Sequence, residues 1–476
     1  MRPSFNNQPQ FRFQAAPTLK ITECYYGKYD RIDAIPAGHP ELVDLIHHDI
    51  AEPLDCERAP DATSEDCYQC SSETVLRIVI CQIIEGCSLR EIVVRIDDSD
   101  FLRRFVRVYN DSMIDYSTFC RLRNRIAPET WKQINNTLAQ TAFDQGHISG
   151  DRTRLDTTAV ETNIHWPSDS SLLGDGYRTL ARLVEGMRSL DPDLVDSRRL
   201  QRRKVKRLVQ KIGRRSRGKT ANAEARREAL KPLYAQLITL VYKLNVWCED
   251  IIRDGVDKVA RQAYPDALRD LIAECIGEMI HFRQLTDQVM KQAHQRVIEG
   301  RQVPNDQKLF SIFEPHTELL IRGKAGKPIE FGHMIQIQQV GEKFITHYDV
   351  FPHKPVEHEL LEPAVERHRE LFGDYPKELS ADKGYYASGA QLAALREKID
   401  LVAINKKGKR SPEEEQRESD PFFRHAQRFR AGVEGTISYL KRVLGLARCY
   451  VKGWTHYAAT VGATVFVHNL LILIRE

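Results

Sequence analysis

Strand-like sequence in this chain stops near residue 164 and resumes only after Asn305, and this gap narrows the possible architectures more than any other feature. Residues 152–164 (RTRLDTTAVETNI) are β-branched and alternating, which marks a strand carrying Asp156. From 177 to about 299 the apolar residues recur with helical period, predicting three long amphipathic helices broken near 213–218 and 254–266. The basic run falls on the first of them. Beyond Asn305, extended segments return at 319–322, 330–340 and 343–351, the last two joined by a Gly-centred turn as a β-hairpin. A helix over 357–372, a strand at 378–382, a helix from Ser388, a strand at 401–405, a polar loop to Ser419 and a helical region from Phe423 complete the series. Strand followed by helix, twice over, implies parallel pairing. With the helical interval removed, one α/β domain remains, so the interval reads as an insertion and Asp156 and Asp382 fall on neighbouring strands.

Ahead of that domain, the first 36 residues are polar and Pro-containing, and 37–147 is rich in helix-period apolar residues. The expected order is an N-terminal extension (1–36), a helical domain (37–147), the first part of the α/β domain (148–176), the insertion (177–314) and the second part (315–476). Within the helical domain, 74–85 makes a buried helix, Ser88 caps a second, and 116–126 makes a third, an order that suits a helix-turn-helix. The last would present Arg121, Arg123 and Arg125 with Ser117 and Thr118, residue types that contact phosphates and base edges in a major groove. Solvated arginines on an ordinary helix fit the same pattern.

The chain is 42% hydrophobic and 29% charged, which is globular usage, and its net charge of +4 decides little. The distribution says more, because residues 198–219 are dense in Lys and Arg with no acid. Arg202, Arg203 and Lys204 there could track phosphates. A solvated coiled-coil face is the alternative, and the long helices could also join two copies through apolar seams.

Ten cysteines at irregular spacing and no leader-like start suggest a reducing cytoplasm. Cys56, Cys67 and Cys70 with His47 and His48 could ligate zinc, though their intervals match no standard zinc spacing and reduced loop thiols fit equally. The apolar stretch 457–474 has the length of a membrane span. His456 just before it and His468, Asn469 and several threonines within it predict a buried terminal helix and no membrane partner.

Two strand acids and one helix acid, Asp156, Asp382 and Glu434, would supply the hard oxygen ligands that divalent ions need. With 66 Asp and Glu in the chain, the bare triple is common; the sequence around each acid distinguishes it. Asp156 lies in LDTTAVETNIHWPSDSSLL, Asp382 in LSADKGYYAS and Glu434 in FRAGVEGTISYLKR. On a helix, Arg430, Glu434 and Lys441 fall within about 40° of one another, so two cations and one acid share a face.

These segments resemble the catalytic strands and helix of DDE transposases of bacterial insertion sequences, the first being especially similar to the ISNCY-type group. DKGY is similar to a common second-acid motif, and R-x-x-x-E-x-x-x-x-x-x-K to a helix signature of related families. Where some relatives carry Tyr three residues before the Arg, this chain has Gln427. The resemblance covers roughly 70–170 and 315–476. It implies an RNase-H-like catalytic domain of α/β class, interrupted by the all-helical insertion and preceded by the helix-turn-helix-like domain. It also implies two Mg²⁺ or Mn²⁺ ions held by Asp156, Asp382 and Glu434, and DNA contacts from Arg430, Lys441 and Lys383. Glu161 and His165 are candidates for outer support. The implied activity is metal-dependent cleavage and strand transfer at inverted terminal repeats, by a homodimer or higher oligomer acting on transposon-end and target DNA in the bacterial cytoplasm, near the nucleoid. A nuclease of the same superfamily without strand transfer, or a DNA-binding protein without chemistry, are the alternatives.

Overall fold

The computed structural model describes residues 4, 19–52, 70–109, 111–217, 223–324 and 327–475. The chain is mixed α/β and mostly helical, and it divides into two compact units, 1–161 with 333–476, and 162–332.

The larger unit begins with helices α1 (Lys20–Gly38), α2 (Glu41–Ile50), α3 (Ser72–Glu85), α4 (Leu89–Asp97), α5 (Asp100–Phe105), α6 (Tyr116–Arg125) and α7 (Pro128–Asp144). Their ends are written locally. The Ser71 hydroxyl caps α3, and Gly86 closes it at φ 61°. Ser88 and Glu91 form a capping box on α4, and Asp115 caps α6. Two helices depart from the sequence reading. α1 occupies the second half of the expected polar extension, because Tyr29 and Ile32 are fully buried and Tyr26 stacks on Phe101 at 3.9 Å. α5 intervenes between the second and third expected helices, started by the Ser99 cap.

Strand β1 (Arg152–Thr162) follows, buried along nearly its whole length as a central strand must be. In the smaller unit come α8 (Asp169–Leu190), α9 (Arg202–Ser216), α10 (Ala223–Ala260) and α11 (Asp266–Ala293), a bundle with its own apolar core. The basic run therefore has a helix to itself, α9, rather than sharing the first long helix. Asp191 ends α8 and caps a short 3₁₀ turn at Pro192–Leu194, a break that apolar periodicity does not show.

Strands β2 (Glu318–Lys324) and β3 (Lys327–Val340) are antiparallel, as are β3 and β4 (Ile345–Val350). Then come α12 (Leu361–Phe372), β5 (Glu378–Ser380), α13 (Gly389–Arg396), β6 (Leu401–Ala403), α14 (Pro412–Ser419), α15 (Pro421–Arg442), β7 (Arg448–Cys449) and α16 (Trp454–Leu473). The expected polar loop before Ser419 contains α14, whose Ser411 cap and Pro412 supply a standard helix start. Among the described residues the strands form one sheet with the path β2-β3-β1-β5-β6, β4 beside β3 and β7 beside β1. β1, β5 and β6 are parallel, with Arg154 opposite Ser380 and Ser380 opposite Ala403.

α15 packs across β5 and β6, and α16 packs against α3, α7 and β4. α16 is the one described helix long and apolar enough to cross a membrane, and it is mostly buried. Its polar residues have partners in the core: Asn469 exchanges hydrogen bonds with both backbone groups of Ile345, and a ring nitrogen of His468 lies 3.0 Å from the Lys343 carbonyl.

Candidate functional site

The register of β1 and β5 brings the first two acids level. Arg154 faces Ser380, so two residues further along each parallel path stand Asp156 and Asp382. Asp382 lies just past β5 rather than in it. There its carboxylate accepts from the Gly384 N–H at 2.7 Å and caps a 3₁₀ turn, Lys383–Tyr385. Asp156 accepts from the Thr157 N–H at 2.8 Å.

α15 brings the third acid and a guanidinium. Arg430 Nη1 is 4.0 Å from Asp156 Oδ2, and Nη2 is 3.7 Å from Glu434 Oε1. Arg430 thus stands between two of the three acids, while the Glu434 side chain is 69% exposed. The helix is held in this position by buried polar contacts. Arg154 on β1 donates to Gln339 and, at 2.5 Å, to the Phe429 carbonyl; burial, then the charge of Arg152, lowers its pKa to about 10. Gly432 allows the approach, since a Cβ there would collide with Arg154 Nη1. Gln427 donates to the carbonyls of Ala403, at 2.6 Å, and Ala381, at 3.3 Å, tying α15 to the strand ends beside Asp382.

A fourth carboxylate adjoins the first two. Glu357 Oε1 accepts from the Thr157 hydroxyl at 2.6 Å, and its other oxygen lies where a Cβ on Gly384 would be. Tyr385, fully buried, reports the gathering: burial first, and then the charges of Asp156, Glu357 and Asp382, push its phenol well above the usual range. Sequence reasoning missed Glu357, which is 200 residues from Thr157. Its only local signal was a helix start placed after the hairpin.

The remaining candidates are spread more widely. Lys383 is exposed on the turn after Asp382, and Lys441 is half-buried one residue before the end of α15. On α6, Arg121 and Arg125 are exposed, Arg125 donating to the Glu52 carbonyl, while Arg123 turns inward to Thr460. Arg202, Arg203 and Lys204 are exposed on α9, Arg202 paired with Glu185 at 2.6 Å. Glu161 accepts from Arg448, and a ring nitrogen of His165 lies 2.6 Å from an Asp175 oxygen, so both have partners away from Asp156. Cys56 and Cys67 lie outside the described residues. Cys70 is buried, and His47 hydrogen-bonds Ser72.

Carboxylate oxygens are the donors that magnesium and manganese take. Among the described residues, however, no three His, Cys, Asp or Glu side chains are gathered closely enough to hold one ion. Arg430 lies between two of the acids, at 4.0 Å from Asp156 and 3.7 Å from Glu434.

The class of site is therefore acidic, with Asp156 within β1 and Asp382 just past the carboxyl end of the parallel β5, in a mixed α/β unit and with an arginine set into it. Residues 49–125 match a family model described as Transposase domain (DUF772), and this match supports a transposase family for the chain. No curated protein and no solved structure matches it.

Proposed function

We propose that this chain is a DNA transposase of the DDE type, with an RNase-H-like catalytic domain interrupted by the helical bundle. The observation that carries the reading is the register of β1 with β5, which aligns Asp156 and Asp382, together with Arg430 bridging Asp156 and Glu434. The transposase-domain match over 49–125 supports it from a separate part of the chain.

On this reading Asp156, Asp382 and Glu434 would be the residues to hold Mg²⁺ or Mn²⁺, two ions being expected, and the chemistry such ions would supply is activation of a water and stabilisation of a leaving oxygen. The chain's own groups do the rest. Hydrogen bonds from backbone N–H groups orient the carboxylates of Asp156 and Asp382. Arg430, which lies between Asp156 and Glu434, would be the guanidinium closest to a phosphate held at these acids. Lys441 and Lys383 extend the same positive face along the DNA. Transposon-end and target DNA are the partners, and joining two ends calls for a dimer or higher oligomer.

The test uses purified protein, Mg²⁺ and duplexes bearing the sequences that flank its coding region. Nicks at the ends and joined strand-transfer products are expected. Asp156→Ala should lower both by more than about 100-fold, since even outer residues around a metal cost 10–100-fold. Cleavage persisting at the original rate in Asp156→Ala, or in excess chelator, would remove the proposal.

A further inference from the structure

One groove in the first unit lies apart from the acids. It has a volume of about 890 Å³ and is walled by the end of α3, the start of α4, α6, the 444–451 segment and two threonines of α16. Its floor is apolar, formed in part by Leu89, Leu444 and Leu446. Tyr450, on its wall, is 73% exposed, so its ring is open to a stacking partner from solvent.

The charged groups in the walls are predominantly cationic. Arg90 lies over the ring of Tyr116 at 4.5 Å and donates to its hydroxyl. It forms no salt bridge among the described residues; the nearby Asp115 carboxylate is engaged in capping α6. Arg121 likewise has no carboxylate partner among the described residues. Arg123 is turned inward and donates to the Thr460 hydroxyl, and burial lowers its pKa. The one lining carboxylate, Glu91, is engaged in the capping box with Ser88. Arg448, also in the lining, is paired with Glu161 at 2.8 Å, which leaves Arg90 and Arg121 as the groove's exposed cations without a salt bridge among the described residues. Such guanidinium groups beside exposed aromatic rings are complementary to phosphates and unstacked bases together: the cations meet the backbone and the rings stack on the bases.

The position is suited to the same strand. α15 carries Arg430, Glu434 and Lys441, and the groove begins at Leu444, just past the end of that helix. At the helical rise, ten residues from Glu434 to Leu444 span roughly 15 Å, the reach of a few nucleotides.

From this geometry we infer that the groove binds an unpaired stretch of DNA, one or more bases resting between Tyr450 and the Tyr116–Arg90 pair. The inference rests on the transposase reading and adds to it a binding site for single-stranded DNA separate from the acids.

Labelled 12-nucleotide single-stranded DNA of mixed sequence and a blunt duplex of the same sequence, titrated in parallel by fluorescence anisotropy at one salt concentration, test it. Tyr450→Ala and Arg90→Gln should each weaken single-strand binding about tenfold while duplex binding changes less than about twofold. Tyr450→Phe, which keeps the ring, should bind as the unaltered protein does. An oligonucleotide carrying 5-iododeoxyuridine should photo-crosslink to Tyr450 or Tyr116. Equal losses on both DNAs, no loss on either, or crosslinks only outside the groove would overturn the assignment. Asp156→Ala is the separating control. If it abolishes cleavage while the groove variants bind unchanged, the groove proposal falls and the transposase reading stands. If the groove variants lose binding but the unaltered protein never cleaves, the catalytic reading falls instead.

Discussion

At Gly384, the absence of a side chain has a direct chemical consequence. A methyl there would overlap Glu357 Oε2, but that oxygen ends a flexible side chain, so Gly384→Ala should fold with a loss of about 1 kcal/mol or less. The displaced carboxylate would then lose its hydrogen bond from Thr157 and crowd Asp382. End cleavage should fall about tenfold or more with the thermal midpoint nearly unchanged; unchanged cleavage would show that Glu357 has no part in the site. Gln427 gives the complementary case. Its amide donates to two carbonyls at the strand ends, so Gln427→Ala leaves those acceptors short of a partner and should cost about 1–3 kcal/mol in urea unfolding. Gln427→Glu should cost more, because a carboxylate would then face the same carbonyl oxygens. If Gln427→Glu proved as stable as the original, the bracing role would be wrong. The position where the resemblance to known relatives lapses is therefore the one that fastens α15 beside Asp382.

Among the elements, α9 states its chemistry most openly. Val205, Leu208 and Ile212 are buried on one side, and Arg203 and Lys204 are exposed on another. Arg202 is already paired with Glu185, so it should contribute less to any phosphate binding than its two neighbours. If α9 follows DNA, Arg203→Gln with Lys204→Gln should lower the slope of log affinity against log salt by about 0.9 for each phosphate no longer neutralised, measured on duplex DNA. Arg202→Gln alone should change it less. An unaltered slope in the double variant would leave α9 as a solvated face of the bundle. α15 works through geometry instead: Gly432, Arg154 and Gln427 fix its approach, and only then does Arg430 reach both Asp156 and Glu434.

Across the larger unit as a whole, three histidines make stability depend on pH. Burial holds His347, His368 and His468 near pKa 4, against an ordinary value near 6.5, with the charge of Arg367 adding to the effect at His347. All three are neutral in the fold at pH 7. Between pH 6.5 and 4 the unfolded chain takes up protons that the folded chain does not, so their contribution is whole above 6.5 and falls as pH drops through that window. Each contributes a slope of up to about 1.4 kcal/mol per pH unit. Urea midpoints should therefore decline steeply from about pH 7 to about pH 5, and His368→Gln should make the decline shallower. A flat profile over that range would mean that these rings are protonated in the fold.

What could be read from the chain alone was what local sequence controls. The strand at 152–162, the strand–helix order after Asn305, the Ser88 cap and the helix from Ser388 depend on residues a few positions apart, and each appears where expected, although β1 is buried on both faces rather than alternating. The neighbouring of β1 and β5 was legible too, because parallel pairing follows from the connection between strands. The pairings that complete the site were not. Thr157 with Glu357, Arg154 with Phe429 and Arg430 with Asp156 join residues hundreds of positions apart, and no periodicity encodes such contacts. For the same reason α1 looked like a polar extension until Phe101 and Phe105 were packed against its tyrosines. Local hydrogen bonding and the spacing of apolar residues determined the elements and proposed the acids. Tertiary packing decided which cation lies among those acids and which fourth carboxylate adjoins them, because those choices depend on burial and charge brought together only by the fold.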